Sequence, residues 1–426
     1  MLAGIAEPLI SLADTAIVGN MQIDSAEALG GMGVAVSFFL FVFWTFVQLE
    51  TALSSIVARY VGKGKEHELE GLITQTFVIN IFLGLALYFG TNAIIEWVFG
   101  LYKAKGAILN YAIEYYSVRS LGFPVTLVLW TIWGLFRGLQ NTSWAMFILI
   151  GGGIVNLVFD LILVYGVGEW IPAFGVAGAA WASFFAQCCM LVASLIMMWA
   201  KSPFRLKSLF PIHKELGKMV VMGVSFIART VALNLALMAA VAMATDMGPT
   251  YIAAHTIAVQ LWLFCAFLID GYANAGLALS GKLLGAERWS EIRKLTDSLI
   301  RISWIVAGVI IVVFGALYYW IGGWFSNEYD VVAIFRSVFW LVIVSQPLSA
   351  LAFTLDGVLK GMGKAVYLMI LMWVALGVFF LTGWLLEGFN LGLTGIWLAL
   401  SAWMILRSIW PYIYLRRFIG RRVDSA

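Results

Sequence analysis

Five carboxylic acids interrupt long apolar runs in this chain: Asp14, Glu50, Asp160, Asp270 and Asp356. Five arginines do the same, at positions 119, 229, 301, 336 and 407. An ionisable group in hydrocarbon costs roughly 2.5–3.5 kcal/mol on insertion scales, so each one implies a cavity, a partner or a function. The most chemically suggestive set is Asp14, Asn156, Asp160 and Ser183. Asn156 lies one helical turn before Asp160 and so shares its face. Two carboxylates, an amide and a hydroxyl are hard oxygen ligands, suited to relaying a proton or holding a small cation such as Na⁺. The plainer alternative is a buried hydrogen-bond cluster joining helices. Two carboxylates are more than such joining requires.

Glu50 and Asp270 form a second set. Each precedes a glycine that closes its apolar run, Gly62 and Gly285, by a similar distance. Both therefore fall near mid-membrane, where acids facing a cavity would attract a cationic substrate or carry protons. Arg229, His255 and Gln260 are the further polar candidates for that cavity. Ion pairing of the acids with Arg229 or Arg119, or bonding to Tyr272, is the structural alternative. Asp356 lies only five residues before Gly361 at the end of its run, where solvent or Lys360 would neutralise it.

These residues need an architecture to hold them. The chain is 62% hydrophobic and only 12% charged, against about a quarter charged in soluble domains, so it is a membrane protein. A formal net charge of +3 excludes a nucleic-acid partner. Apolar runs of about 20 residues, each long enough to cross the bilayer, recur twelve times, centred near Leu12, Phe43, Leu83, Leu127, Val155, Val192, Leu233, Phe267, Val309, Val344, Ala375 and Met404. The first is short and lacks the charged leader of a signal peptide; its cytoplasmic end is expected to be missing.

Loop charge supports the count. Nineteen lysines and arginines follow the even-numbered spans or form the tail, including Arg59, Lys201, Lys207, Arg293, Arg416 and Arg422; two, Lys103 and Lys105, follow odd-numbered ones. By the positive-inside rule both termini are cytoplasmic. With helix 5 running outward, Asp160 lies six residues before Gly166, roughly 9 Å below the outer end at 1.5 Å per residue. Asp14 stands at the same depth before Asn20, and Ser183 at a similar one.

The chain also repeats itself. Gly62 to Gly138 and Gly285 to Gly361 have the same spacing, and each pair closes equivalent spans. Gly175-Val176-Ala177-Gly178 and Gly392-Leu393-Thr394-Gly395 open spans six and twelve. The expected fold is therefore all-α, with twelve transmembrane helices in two six-helix lobes related by a pseudo-twofold axis. Residues 1–200 and 219–426 make the lobes, and 201–218 a cytoplasmic linker. Paired lobes around a midplane cavity suit alternating access. Pro8, Pro124 and Pro347 are expected bending points. The second lobe has Leu237 where the first has Asp14, so ion chemistry is expected in the first lobe alone.

Several segments resemble the multidrug and toxic compound extrusion (MATE) family, in particular its DinF-type branch. They are Pro8-Leu9-Ile10-Ser11-Leu12-Ala13-Asp14-Thr15-Ala16-Ile17-Val18-Gly19, Phe136-Arg137-Gly138-Leu139, Gly175-Val176-Ala177-Gly178-Ala179-Ala180 and Leu355-Asp356-Gly357. The resemblance implies a monomeric secondary antiporter of the cell membrane. It would export small organic, often cationic and amphipathic, molecules against H⁺ or Na⁺ and need no cofactor. It also implies that the coupling site falls at Asp14, Asn156, Asp160 and Ser183, with Ser183 standing where the family typically has threonine. The glutamate that another branch carries in helix 7 is absent, because Leu237 to Val241 is apolar. The transporter alternative is a lipid-linked oligosaccharide flippase, which would need a strongly cationic cavity. A membrane enzyme would need a nucleophile with its base, or a metal cluster. Three scattered histidines (His67, His213, His255) and no Cys-His or His-Asp pattern argue against one.

Overall fold

A computed structural model describes residue 17, residues 25–102 and residues 104–423. Pro8, Asp14 and nearly all of the first expected span lie outside these described residues. The rest is almost wholly helical: α1 (Ser25–Phe46), α2 (Gln48–Gly62), α3 (Glu70–Leu101), α4 (Gly106–Ser120), α5 (Gly122–Gly138), α6 (Ser143–Tyr165), α7 (Gly175–Lys201), α8 (Leu216–Asp246), α9 (Pro249–Gly285), α10 (Trp289–Ala316), α11 (Tyr329–Val344), α12 (Gln346–Gly361), α13 (Ala365–Glu387) and α14 (Leu393–Val423). Eleven spans follow once bent pairs are joined, and they coincide with the expected spans two to twelve.

The pairs α4–α5 and α11–α12 bend by 46° and 50°. Pro124 and Pro347 lie within the first turns after these breaks, as expected of residues that withhold a backbone donor. They stand 223 positions apart, the offset that also separates Gly62 from Gly285 and Gly138 from Gly361.

The chain divides into two compact units. Among the described residues, one comprises 25–57 and 64–220 with Ile17; the other comprises 58–63 and 221–423. Within the first, α5 lies so close on α2 that a Cβ at Gly138 would meet Val57 and the Ser54 carbonyl, and one at Gly134 would meet Glu50. Within the second, α12 lies on α9 in the same way. There a Cβ at Gly361 would meet Leu277 and Ser280, and one at Gly357 would meet Ala273. Every one of these contacts maps onto its counterpart at the 223-residue offset, so the repeat seen as glycine spacing is a repeat of backbone packing. Close approach over small residues is what joins helices where water gives no drive between them. The second unit also contains a reciprocal contact, because a Cβ at Gly62 would overlap the Lys282 carbonyl and one at Gly285 the Arg59 carbonyl.

The expected linker is clamped to the first unit. Gln75 donates through Nε2 to the carbonyls of Leu209 (2.7 Å) and Pro211 (3.0 Å), and its Oε1 accepts from the His213 amide at 3.0 Å. Glu70 accepts from the Arg205 amide at 3.2 Å and pairs with Lys207 at 2.5 Å. These bonds satisfy polar atoms at the start of α3 that would otherwise be buried without partners.

Candidate ion-coupling site

Along α6, Gly152, Asn156, Asp160 and Val164 recur every fourth residue and all are buried. This stripe is the face an α-helix turns inward. It packs against α7, whose opening Gly175-Val176-Ala177-Gly178-Ala179-Ala180 is small enough to permit it. A Cβ at Gly178 would stand 2.5 Å from the Leu163 carbonyl oxygen, so only glycine allows the two backbones this approach.

Asp160 is fully buried and Asn156 is 4% exposed; the amide donates through Nδ2 to Asp160 Oδ2 at 2.5 Å. A bond to a carboxylate stabilises its charged form, whereas burial disfavours charge. Asp160 is thus a buried acid with the Asn156 amide on one of its oxygens. Ser183 is also buried, on α7, but among the described residues it bonds neither Asn156 nor Asp160. The Tyr165 hydroxyl donates to the Ile17 carbonyl at 2.8 Å. That bond ties Ile17 to the end of α6, five residues beyond Asp160. Asp14 itself lies outside the described residues.

The expected mid-membrane cavity set is dispersed. Glu50 is 5% exposed and forms an ion pair with Arg137 Nη1 at 2.8 Å. That partner lies on α5 and is neither of the arginines expected, Arg119 or Arg229. At the repeat offset Glu50 corresponds to Ala273, one turn beyond Asp270, so the two acids are neighbours in depth but not equivalents. Asp270 is exposed and accepts from Asn274 at 2.8 Å. Gln260 is exposed, and His255 is 1% exposed with its ring beside Trp397. No hydrogen bond or ion pair joins any two of Asp270, Arg229, His255 and Gln260 among the described residues.

Arg229 instead belongs to a cluster that the sequence reading missed. Its Nη2 bonds Asp356 Oδ2, and Arg407 Nη2 reaches the same oxygen at 3.2 Å. All three residues are buried, Arg407 completely. Arg407 also stacks its guanidinium on Trp403, 4.4 Å from the ring centre. Burial rules out the solvent expected to neutralise Asp356; two arginines bond it instead, giving the three residues a formal charge of +1, and Lys360 acts on it electrostatically as expected. The signal was available: Arg229, Asp356 and Arg407 are three intramembrane charges in one half of the chain. They come from α8, α12 and α14, and nothing in their spacing pairs them.

A family model described as MatE matches residues 1–162 and 226–385. Protein DETOXIFICATION 44, chloroplastic, of Arabidopsis thaliana is 28% identical over 96% of this chain and 78% of its own length. DNA damage-inducible protein F of Escherichia coli (strain K12) is 26% identical over 96% of this chain and 88% of its own. Among solved structures, the outward-facing conformation of a multidrug resistance MATE family transporter superposes with a TM-score of 0.87 at 20% identity. It covers all of this chain and 94% of that one.

Proposed function

Because the chain belongs to the MatE family, whose members are efflux transporters, we propose that it is a secondary antiporter. It exports small organic molecules, often cationic and amphipathic, in exchange for H⁺ or Na⁺. Residues 1–200 and 219–426 act as alternating lobes in the cell membrane, with both termini in the cytoplasm.

The coupling ion enters the first unit and neutralises Asp160 and Asp14, with Asn156 and Ser183 as the neutral oxygen groups. Discharging these acids removes the penalty of enclosing them and lets the first span bend near Pro8. Substrate affinity then falls on the outer side. A ligand shifts a conformational equilibrium only through its different affinity for the two states, and the desolvation of a carboxylate supplies that difference. The observation that carries this reading is the fully buried Asp160, held by Asn156 on the one face of α6 that packs against α7.

The test is efflux from proteoliposomes under separately imposed Na⁺ and pH gradients. One gradient is expected to drive substrate out against its own concentration; substrate movement that ignores both would overturn the antiport reading.

A further inference from the structure

At one end of the second unit, α10 and α14 enclose a cleft of about 160 Å³. It is lined by Arg293, Thr296, Leu355, Tyr412, Leu415 and Arg416. Pockets for drug-sized molecules run about 300–1,000 Å³, so this one admits only a small group. We infer that it holds the phosphate headgroup of an anionic phospholipid, whose acyl chains continue along the apolar side of the cleft.

Charge and polarity point to that occupant. Arg416 pairs through Nη2 with Asp297 at 2.5 Å, while its Nε is buried without a partner among the described residues. Arg293 is exposed and forms no ion pair among them. The cleft and its one acid therefore carry a formal +1, matching the single negative charge of a phosphodiester. Leu355 and Leu415 give the same cleft an apolar wall, which a free anion would not use.

The surroundings are those of a membrane interface. Trp289 meets Phe418 edge-on at 5.9 Å, Arg422 lies over Trp289 at 5.7 Å, and Lys364 lies over Phe418 at 4.1 Å. Aromatic rings with cations beside them mark headgroup depth. In positions 287–301 and 416–422 together, eight basic residues face three acids, the excess that anionic lipid attracts. Arg293 and Arg416 add a built recess to that general attraction.

The test uses the full chain in nanodiscs containing equal phosphatidylglycerol and phosphatidylcholine, with retained lipid counted by native mass spectrometry. Wild type is expected to keep phosphatidylglycerol in preference. Arg293→Gln should lower that preference about fivefold, the worth of one interfacial cation. Arg421→Gln removes an exposed arginine outside the cleft and should leave the preference intact. Equal retention of both lipids by wild type would overturn the inference, as would an equal loss in Arg421→Gln. Displacement of the lipid by excess inorganic phosphate would also overturn it, by assigning the cleft to a free anion. None of these readouts depends on transport, so a failed antiport assay leaves the inference standing.

Discussion

Asp160→Asn is expected to abolish gradient-driven efflux while leaving the protein folded. The amide keeps the side chain's size and can still meet Asn156 on α6. What it loses is the charge that an incoming ion must cancel. Coupling free energies of about 1–3 kcal/mol correspond to 5–150-fold effects, and removing the ionisable group should cost the upper end of that range. Uptake and efflux down the substrate's own gradient should survive, since the mutant resembles the permanently neutralised state. Initial rates with and without an imposed pH or Na⁺ gradient check this. Asp14→Asn should behave alike, whereas Ser183→Ala should be milder, because it removes one neutral oxygen. An Asp160→Asn protein that still concentrates substrate against its gradient would remove Asp160 from the coupling step.

Asp356→Asn is expected to have the largest effect on stability. Asp356 is the carboxylate that both Arg229 and Arg407 bond, so its loss leaves two guanidiniums buried and uncompensated. Breaking a buried ion pair from one side costs about 3–5 kcal/mol. Arg407→Met removes a cation instead and leaves the neutral pair Arg229–Asp356. The large cost of breaking a buried pair comes from the uncompensated charge left behind, and here Arg229 still compensates Asp356. The two variants should therefore separate widely in thermal unfolding at a fixed scan rate in one detergent. Asp356→Asn would melt about 10 °C lower, taking roughly 2–4 °C per kcal/mol for a unit of some 200 residues. Arg407→Met should stay close to wild type. Equal melting of Asp356→Asn and wild type would show that another group balances the arginines.

The architecture was readable because its signals are local and repeated. Span number follows from apolar length and loop charge, and the repeat from two glycine pairs at equal spacing. The structure gives that spacing its cause: Gly138 and Gly361 are where α5 and α12 ride on the backbones of α2 and α9. Pro124 and Pro347 marked the two bent spans for a similarly local reason, a missing backbone donor.

Pairing of charges was not readable, because it depends on which helix faces touch. Arg137 belongs by position to the loop cations, yet the approach of Gly134 to Glu50 brings it into an ion pair with that acid. Asp356 is close to a span end along the chain but buried in space, since α8 and α14 cover it with residues 127 and 51 positions away. Asn156 and Asp160 were legible because one helix carries both. Their relation to Asp14 is an expectation from depth along the sequence, because Asp14 lies outside the described residues.

The most direct test of the coupling claim is substrate affinity measured against ion occupancy. A fluorescent organic cation would be titrated into the purified protein across a pH series, with and without Na⁺, for wild type and for Asp160→Asn. The account predicts that wild-type affinity weakens as protons or Na⁺ discharge the acids, and that the mutant is already weak and insensitive to either ion. An ion dependence that persists unchanged in Asp160→Asn would contradict it.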